Sequence, residues 1–478
     1  MEAERVVPYA HWLSSGDNAW QMTAATLVGL MSIPALAVLY GGLVQRKWAI
    51  NTVLMVFGTF AMVLIVWVLW GFKLGFGEPW IGGSLHLLGK PQTVLGTGAL
   101  EGQANIPLLS GGMPSFRIPQ SSVVYFQFVF AAITPILFIG SVVGRINFKA
   151  WLIFVPLWIT FAYCVNAFTL WGGGFWASKG ALDFSGGYVI HLAAGVSGFV
   201  AAWVVGPRLK RDRDRAVPNN LLFVAVGAGI LWLGWNGFNG GDPYFAGSDA
   251  AAAILNTNLA TAVAMLTWIF MDMIGGPGRK ATFLGGLNGM ICGLVGITPA
   301  AGYVNGLGAI VIGFVCSFIV WFAWNFLSKV PPFNRVDDAL GVVYTHGIAG
   351  LCGGLLVGLL ADPKMIVYLG LGKNPSISGT GLFYGHAHQL LVQAGAALMV
   401  IVWDGLVTFI LLKLIGLVVK LRIPDEDLEI GDVAVHGEEA YPSEELALSG
   451  VGASRAAELA AEGKEEARTP ERVPHEDG

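Results

Sequence analysis

The stretch "ALDFSGGYVIHLAAGVSG", residues 181–198, decides how the whole chain is read. It places Asp183 and His191 in a segment whose other residues are apolar or small. The same frame returns as "DALGVVYTHGIAGLCG" at 338–353. Both copies read D-x7-H-x-x-A-G-x-x-G, with every matched position 155 residues apart. Asp183 thus pairs with Asp338, His191 with His346, Gly195 with Gly350, and Gly198 with Gly353.

Around this motif the chain is strongly apolar. Of its 478 residues 55% are hydrophobic and 12% charged, against about 25% charged in a soluble domain. Apolar runs long enough to cross a hydrocarbon core of about 30 Å as helices recur throughout. The 66 glycines and 17 tryptophans fit close helix packing and interfacial anchoring in a bilayer. We read an all-α membrane protein with eleven spans, near 19–43, 52–72, 121–143, 150–170, 184–206, 219–239, 253–273, 281–300, 303–326, 339–361 and 386–417. The N-terminus lacks a basic region followed by an apolar one, so no cleavable signal peptide is expected.

Charge assigns the sides. Arg46, Lys47, Arg145, Lys149, Arg208, Lys210, Arg211, Arg213, Arg215, Arg279, Lys280, Lys329 and Arg335 all follow odd-numbered spans. By the positive-inside rule that side is cytoplasmic, which places the N-terminus outside and the C-terminus inside. The two motif copies then lie in spans five and ten, which run in opposite directions. That is the mark of inverted five-helix repeats, here 19–206 and 219–361, with the helix at 386–417 left over. If each Asp caps a helix start, each His lies about 12 Å inside, at 1.5 Å per residue. Two such histidines can meet near the midplane.

The chemistry open to such a pair is narrow. Ionisable groups at mid-depth face a bundle interior or a pathway rather than lipid. Neutral imidazole both donates and accepts a hydrogen bond. A conduit of this kind tolerates something small, neutral and hydrogen-bonding; potassium-filter motifs and carboxylate rings are absent from the sequence. The four cysteines (Cys164, Cys292, Cys316, Cys352) sit in apolar segments and read as small buried hydrophobes. No His, Cys and carboxylate cluster has metal spacing, and no cofactor is expected. "GGSLHLLGKP" in the 73–120 connection only superficially matches a phosphate loop, since the residue after Lys is Pro.

Several segments together carry a family resemblance: "GALDFSGGYVIHLAAGVSGFVAAWVVGPR", "VYFQFVFAAITPILFIGSVVGR", "WLGWNGFNGG", "GLVGITPAAGYV", "RVDDALGVVYTHGIAG" and "LAVLYGGLV". Over about 17–441 the chain resembles the ammonium transporter family (Amt/Mep, with the related Rh proteins), of prokaryotic Amt type. The resemblance implies a homotrimer, each subunit enclosing its own pore. It implies an external recruitment site with Trp171 and Phe126, a gate of Phe130 and Phe238, and pore histidines His191 and His346. Asp183, with its counterpart Asp338, is read mainly as holding a helix start and the vestibule. One departure is Asp242, where many relatives carry Ser; we place it in the recruitment site as a carboxylate that holds the cation more tightly, the alternative being a turn residue with Pro243 that points away from the vestibule. A second is Tyr344, where many relatives are small, read as helix packing in preference to pore lining. Plain packing or interfacial anchoring is the alternative for Trp171, Phe126 and Phe130.

The expected function is an ammonium transporter, not an enzyme, in a bacterial or archaeal plasma membrane. It recruits ammonium outside and passes ammonia with a proton. The alternatives are an ammonium sensor and a Rh-like neutral gas channel. Residues 1–420 form the membrane domain, and 421–478 an acidic cytoplasmic tail with a short helix near 450–467 and a disordered end. The tail resembles the family's regulatory region, which implies a PII-type partner. The mixed-sign "RLKRDRDR" loop is expected to meet lipid headgroups and not nucleic acid. Asp404 is expected at a contact between subunits, Asp272 in solvent, and His386 and His388 in hydrogen bonds at the interface.

Overall fold

The computed structural model describes residues 10–96, 98, 100–105, 115–368 and 376–442. Among them, ten helices are long and apolar enough to cross a membrane: Ser15–Leu43, Arg46–Phe76, Gln120–Val142, Phe148–Ser178, Gly187–Val205, Leu221–Gly240, Ser248–Gly275, Gly306–Lys329, Val343–Leu360 and His388–Ile415. The shorter apolar helix Phe283–Ile297 occupies the place of the eighth span, so the eleven-helix order holds. We number the spans one to eleven in chain order. The tail helix expected near 450–467, and the end read as disordered, lie outside the described residues.

Short polar side chains start several spans. Asn147 accepts from the Lys149 N–H (2.9 Å), Asn220 from Leu222 and Phe223, Thr282 from Gly285, and Asn305 from Gly308. Each satisfies N–H groups that the first helical turn leaves unpaired. Leucines such as Leu222, Leu255, Leu307, Leu391 and Leu417 project outward and exposed, as lipid-facing positions do. Among the described residues, three two-stranded antiparallel pairs decorate the connections: Pro79–Ile81 with Leu88–Gly89, Gln103–Asn105 with Ser115–Pro119, and Ile366–Tyr368 with Ser376–Ser378.

Spans five and ten cross at glycines. A Cβ on Gly195 would overlap the Cα of Gly347, and one on Gly350 would lie 2.6 Å from the Gly187 carbonyl oxygen. Both histidines sit in one-turn π-helical openings, Gly187–Leu192 and Val343–Ile348, at matching places in the two halves. Such openings widen a helix locally and are frequent at functional sites.

The basic loop folds back on the protein. Arg208 forks onto Asp337 (2.7 and 2.9 Å), and Lys47 reaches Asp212 at 3.0 Å. Arg145 is fully buried and donates to the carbonyls of Gly206 and Asp337. Its own carbonyl accepts the Ile423 N–H at 2.9 Å, which joins the start of the tail to the membrane domain. Helices Asp425–Ile430 and Asp432–His436 then pack beneath span two.

Two expectations are corrected. Asp404 is wholly buried within the chain and accepts from the Asn166 amide at 2.7 Å. With no accessible surface, it has nothing to offer a neighbouring molecule, so the expected contact between subunits does not explain it. Asp272 is buried rather than solvated, accepting from the Trp321 indole at 2.8 Å. His386 and His388 are exposed, as their place at an outer helix end requires.

Candidate functional site: an aromatic and imidazole column

Phe126 and Phe130 lie one helical turn apart on span three, so both rings present to one side. Their centroids are 4.7 Å apart. Phe130 continues onto Phe238 of span six at 4.3 Å, with the rings tilted by 31°. Trp171, at the outer end of span four, stands edge-on to Phe130 at 6.2 Å. Its indole N–H donates to the Asp183 carbonyl at 2.6 Å, which fixes the ring at the outer end of the column.

The column continues inward. His191 stacks on Phe238 at 5.9 Å and on His346 at 5.3 Å. The two imidazoles meet through their Nδ1 atoms, 3.2 Å apart. Two neutral rings can make that bond only if one Nδ1 carries the proton and the other does not. The free Nε2 atoms are then of opposite kind, one acceptor and one donor. His191 Nε2 is buried without a hydrogen-bond partner. Phe130, Phe238 and His191 are all inaccessible to solvent, so the column is closed at that level. Below it, His346 borders a cavity of about 750 Å³ with Tyr344, Trp324, Phe333 and Asp338.

The carboxylates differ in what they hold. Asp183 accepts the Tyr188 and Val189 N–H groups at 3.1 and 3.0 Å. Asp338 accepts those of Val342 and Val343 at 3.2 and 2.9 Å, with a further bond from Ser141 at 2.8 Å. Each Asp therefore ties off the start of a histidine helix, as its duplicated place suggests. Asp242 is buried and takes a hydrogen bond from the Ser185 hydroxyl, two residues past Asp183. On the cytoplasmic side, partial burial opposes ionisation of Asp337, but the Arg208 fork and the Arg145 charge outweigh it and hold the carboxyl at about 2.

Every residue expected along the pathway thus joins one continuous set. Tyr344 is both packed and lining: its ring meets Trp324 at 5.6 Å and borders the inner cavity. Sequence reasoning misses Trp235, whose ring stacks on His191 at 5.4 Å while its N–H donates to Thr298 at 2.9 Å. Helical spacing carries the signal, since Trp235 lies three residues before Phe238 on the same face. It also misses Tyr244, which packs edge-on against Phe126 at 5.6 Å and accepts from Gln127. Tyr244 lies in the turn after Asp242 and Pro243, where periodicity says nothing.

The family model described as Ammonium Transporter Family matches residues 19–441. The chain is 49% identical to "Ammonium transporter 3 member 2" of Oryza sativa subsp. japonica, covering 90% of this chain and 91% of that protein. It is 48% identical to "Ammonium transporter 2" of Arabidopsis thaliana, with 90% and 89% covered. Among solved structures, Saccharomyces cerevisiae Mep2 superposes with a TM-score of 0.75 at 30% identity, covering 87% of this chain and 88% of that one. A structure titled "Sensor Amt Protein" reaches 0.73 at 24% identity, covering 87% and 96%, a likeness of fold alone. These named plant and fungal relatives lend no support to a bacterial or archaeal origin.

Proposed function

Because the chain belongs to the ammonium transporter family, a family of transporters and not of enzymes, we propose that it conducts ammonium nitrogen through the column described above. The single observation that carries this reading is the unbroken series Phe126, Phe130, Phe238, His191, His346. In it the outer aromatic faces, with Trp171 and Asp242, attract and partly desolvate the ammonium ion. Cation–π attraction is worth about 0.5–2 kcal/mol, enough to gather the ion and weak enough to release it. Phe130 and Phe238 gate the entrance. Potassium matches ammonium in size and charge but has no proton to give up. Deprotonation at the mouth therefore selects, and ammonia passes the imidazoles by hydrogen bonding. The shared Nδ1 proton gives the released proton a route along the same axis, so transport carries charge.

On this reading the protein lies in the plasma membrane, its apolar belt against lipid, as a homotrimer with one pore in each subunit. Residues 1–420 are the transport domain and 421–478 a cytoplasmic regulatory tail. A PII-type nitrogen-regulatory protein is the candidate partner on that face.

The test is the current from full-length protein in liposomes after an ammonium pulse, beside His191→Ala. A parent current that the variant loses, or carries without discriminating potassium, agrees with transport through the histidine pair. Ammonium binding without current would make the protein a sensor. Ammonia flux without charge movement would make it a neutral gas channel.

A further inference from the structure

The eleventh helix stands outside the inverted repeat, yet one of its side chains reaches the residues that flank both copies of the duplicated motif, Leu182 before the first and Gly354 after the second. Gln393 is fully buried. Its Nε2 donates to the carbonyls of Leu182 (2.7 Å) and Gly354 (2.9 Å). Its Oε1 accepts the Leu182 N–H at 2.8 Å and the Gln389 amide at 3.2 Å. Two donors and two acceptors are thereby used, the full capacity of a side-chain amide.

The partners give this side chain its importance. Leu182 immediately precedes Asp183, whose carbonyl holds the Trp171 indole and whose carboxylate ties off the His191 helix. Gly354 lies eight residues past His346, about 12 Å along span ten at 1.5 Å per residue. Gln393 thus fixes the outer end of one histidine helix against the other. Gln389, one turn earlier, bonds Gly180 (2.8 Å) and Gln393 but makes no hydrogen bond to Leu182 or Gly354.

We infer that Gln393 is a positioning residue for transport, setting Asp183 and Trp171 at the mouth and the spacing of the two histidine helices. It touches neither ion nor ammonia and acts through Leu182 and Gly354. The inference rests on the pore reading above. It also gives the unduplicated eleventh helix a role, that of clamping the two repeats at their pore-facing seam.

The experiment compares saturation of methylammonium uptake by full-length protein in liposomes for the parent, Gln393→Met, Gln393→Glu and Gln389→Met. Gln393→Met keeps the shape and removes every bond. It is expected to raise the half-saturating concentration roughly tenfold while maximal flux per folded protein stays within about twofold, as unpairing buried hydrogen bonds at a binding mouth does. Gln393→Glu keeps the acceptor for Leu182 but sets a carboxylate oxygen against the Leu182 and Gly354 carbonyls, so its shift is expected to be at least as large as that of Gln393→Met. Gln389→Met is expected to shift less than about twofold, since both links to the histidine helices survive. Parent flux with unchanged half-saturation in both Gln393 variants overturns this inference alone. So does a fall in flux that only tracks loss of folded protein. Absence of flux in the parent defeats the transport reading and this inference with it.

Discussion

On the proposed pathway, the carboxylate of Asp242 is the group whose charge would act most directly on an arriving cation. Buried and bonded to Ser185, it lies beside the Asp183 segment that carries the Trp171 anchor. A carboxylate attracts a cation across a low-dielectric wall more strongly than a hydroxyl can. Asp242→Ser is therefore expected to raise the half-saturating ammonium concentration about tenfold, or ~1.4 kcal/mol, and to speed release so that maximal flux rises. Concentration dependence of the liposome current measures both; an unchanged half-saturation would leave Asp242 a turn residue. At this scale sequence serves unevenly. Asp183 and Asp338 are legible because an acidic side chain before an apolar helix has few physical roles. Asp404 and Asp272 are not, because the partners that explain their burial, Asn166 and Trp321, lie far off in the chain.

Spans five and ten meet backbone to backbone, and that contact brings the rings within 5.3 Å. Gly195→Ala sets a methyl where the Gly347 Cα lies, so the helices must part. Flux is expected to fall at least tenfold, with a loss of about 1–3 kcal/mol of stability from overpacking, read from uptake and thermal melting. The tail helices make a second testable contact. Asp432 accepts the Ile50 and Asn51 N–H groups (2.7 and 2.9 Å), and His436 Nε2 meets the Asn51 side-chain oxygen at 2.9 Å. Burial outweighs those two bonds and raises the Asp432 carboxyl to about 7. Burial pushes His436 below its usual 6.5, with Glu438 opposing. The raised Asp432 favours docking below about pH 4 and loses that contribution as pH climbs to about 7. The lowered His436 favours docking above about 6.5 and loses it as pH falls. The two oppose each other in the parent. His436→Gln is expected to leave a tail whose amide protection weakens from about pH 4 to 7, and Asp432→Asn one whose protection weakens on acidification. Hydrogen exchange of residues 425–441 reads the slopes, and equal slopes in both variants would refute the assignment. Helix starts are legible from their capping residues, whereas the π-helical openings are not, because one extra residue in a turn leaves no trace in hydrophobic periodicity.

Across the whole molecule the inverted duplication is readable because it rests on five residues whose spacing repeats without a gap. The sidedness is readable because the basic connections alternate. Lys90 and Arg213 are exposed on opposite sides of that scheme, and the native cysteines are buried or half-buried. An impermeant thiol reagent applied outside intact cells is expected to label Lys90→Cys and to label Arg213→Cys only after lysis. The reverse pattern would invert the topology. Less legible is the bond between repeats and remainder, since the clamp at Gln393 joins segments 211 residues apart. The 3.2 Å contact between the two Nδ1 atoms has a consequence of another kind. Its two tautomeric arrangements are distinct and mutually exclusive, so the pair stores one bit. A proton that travels through it leaves the bit inverted, and the next cannot follow until the register is rewritten. On the proposed proton route, then, each passage must be followed by a return of both rings to their starting tautomers before another proton can take the same path.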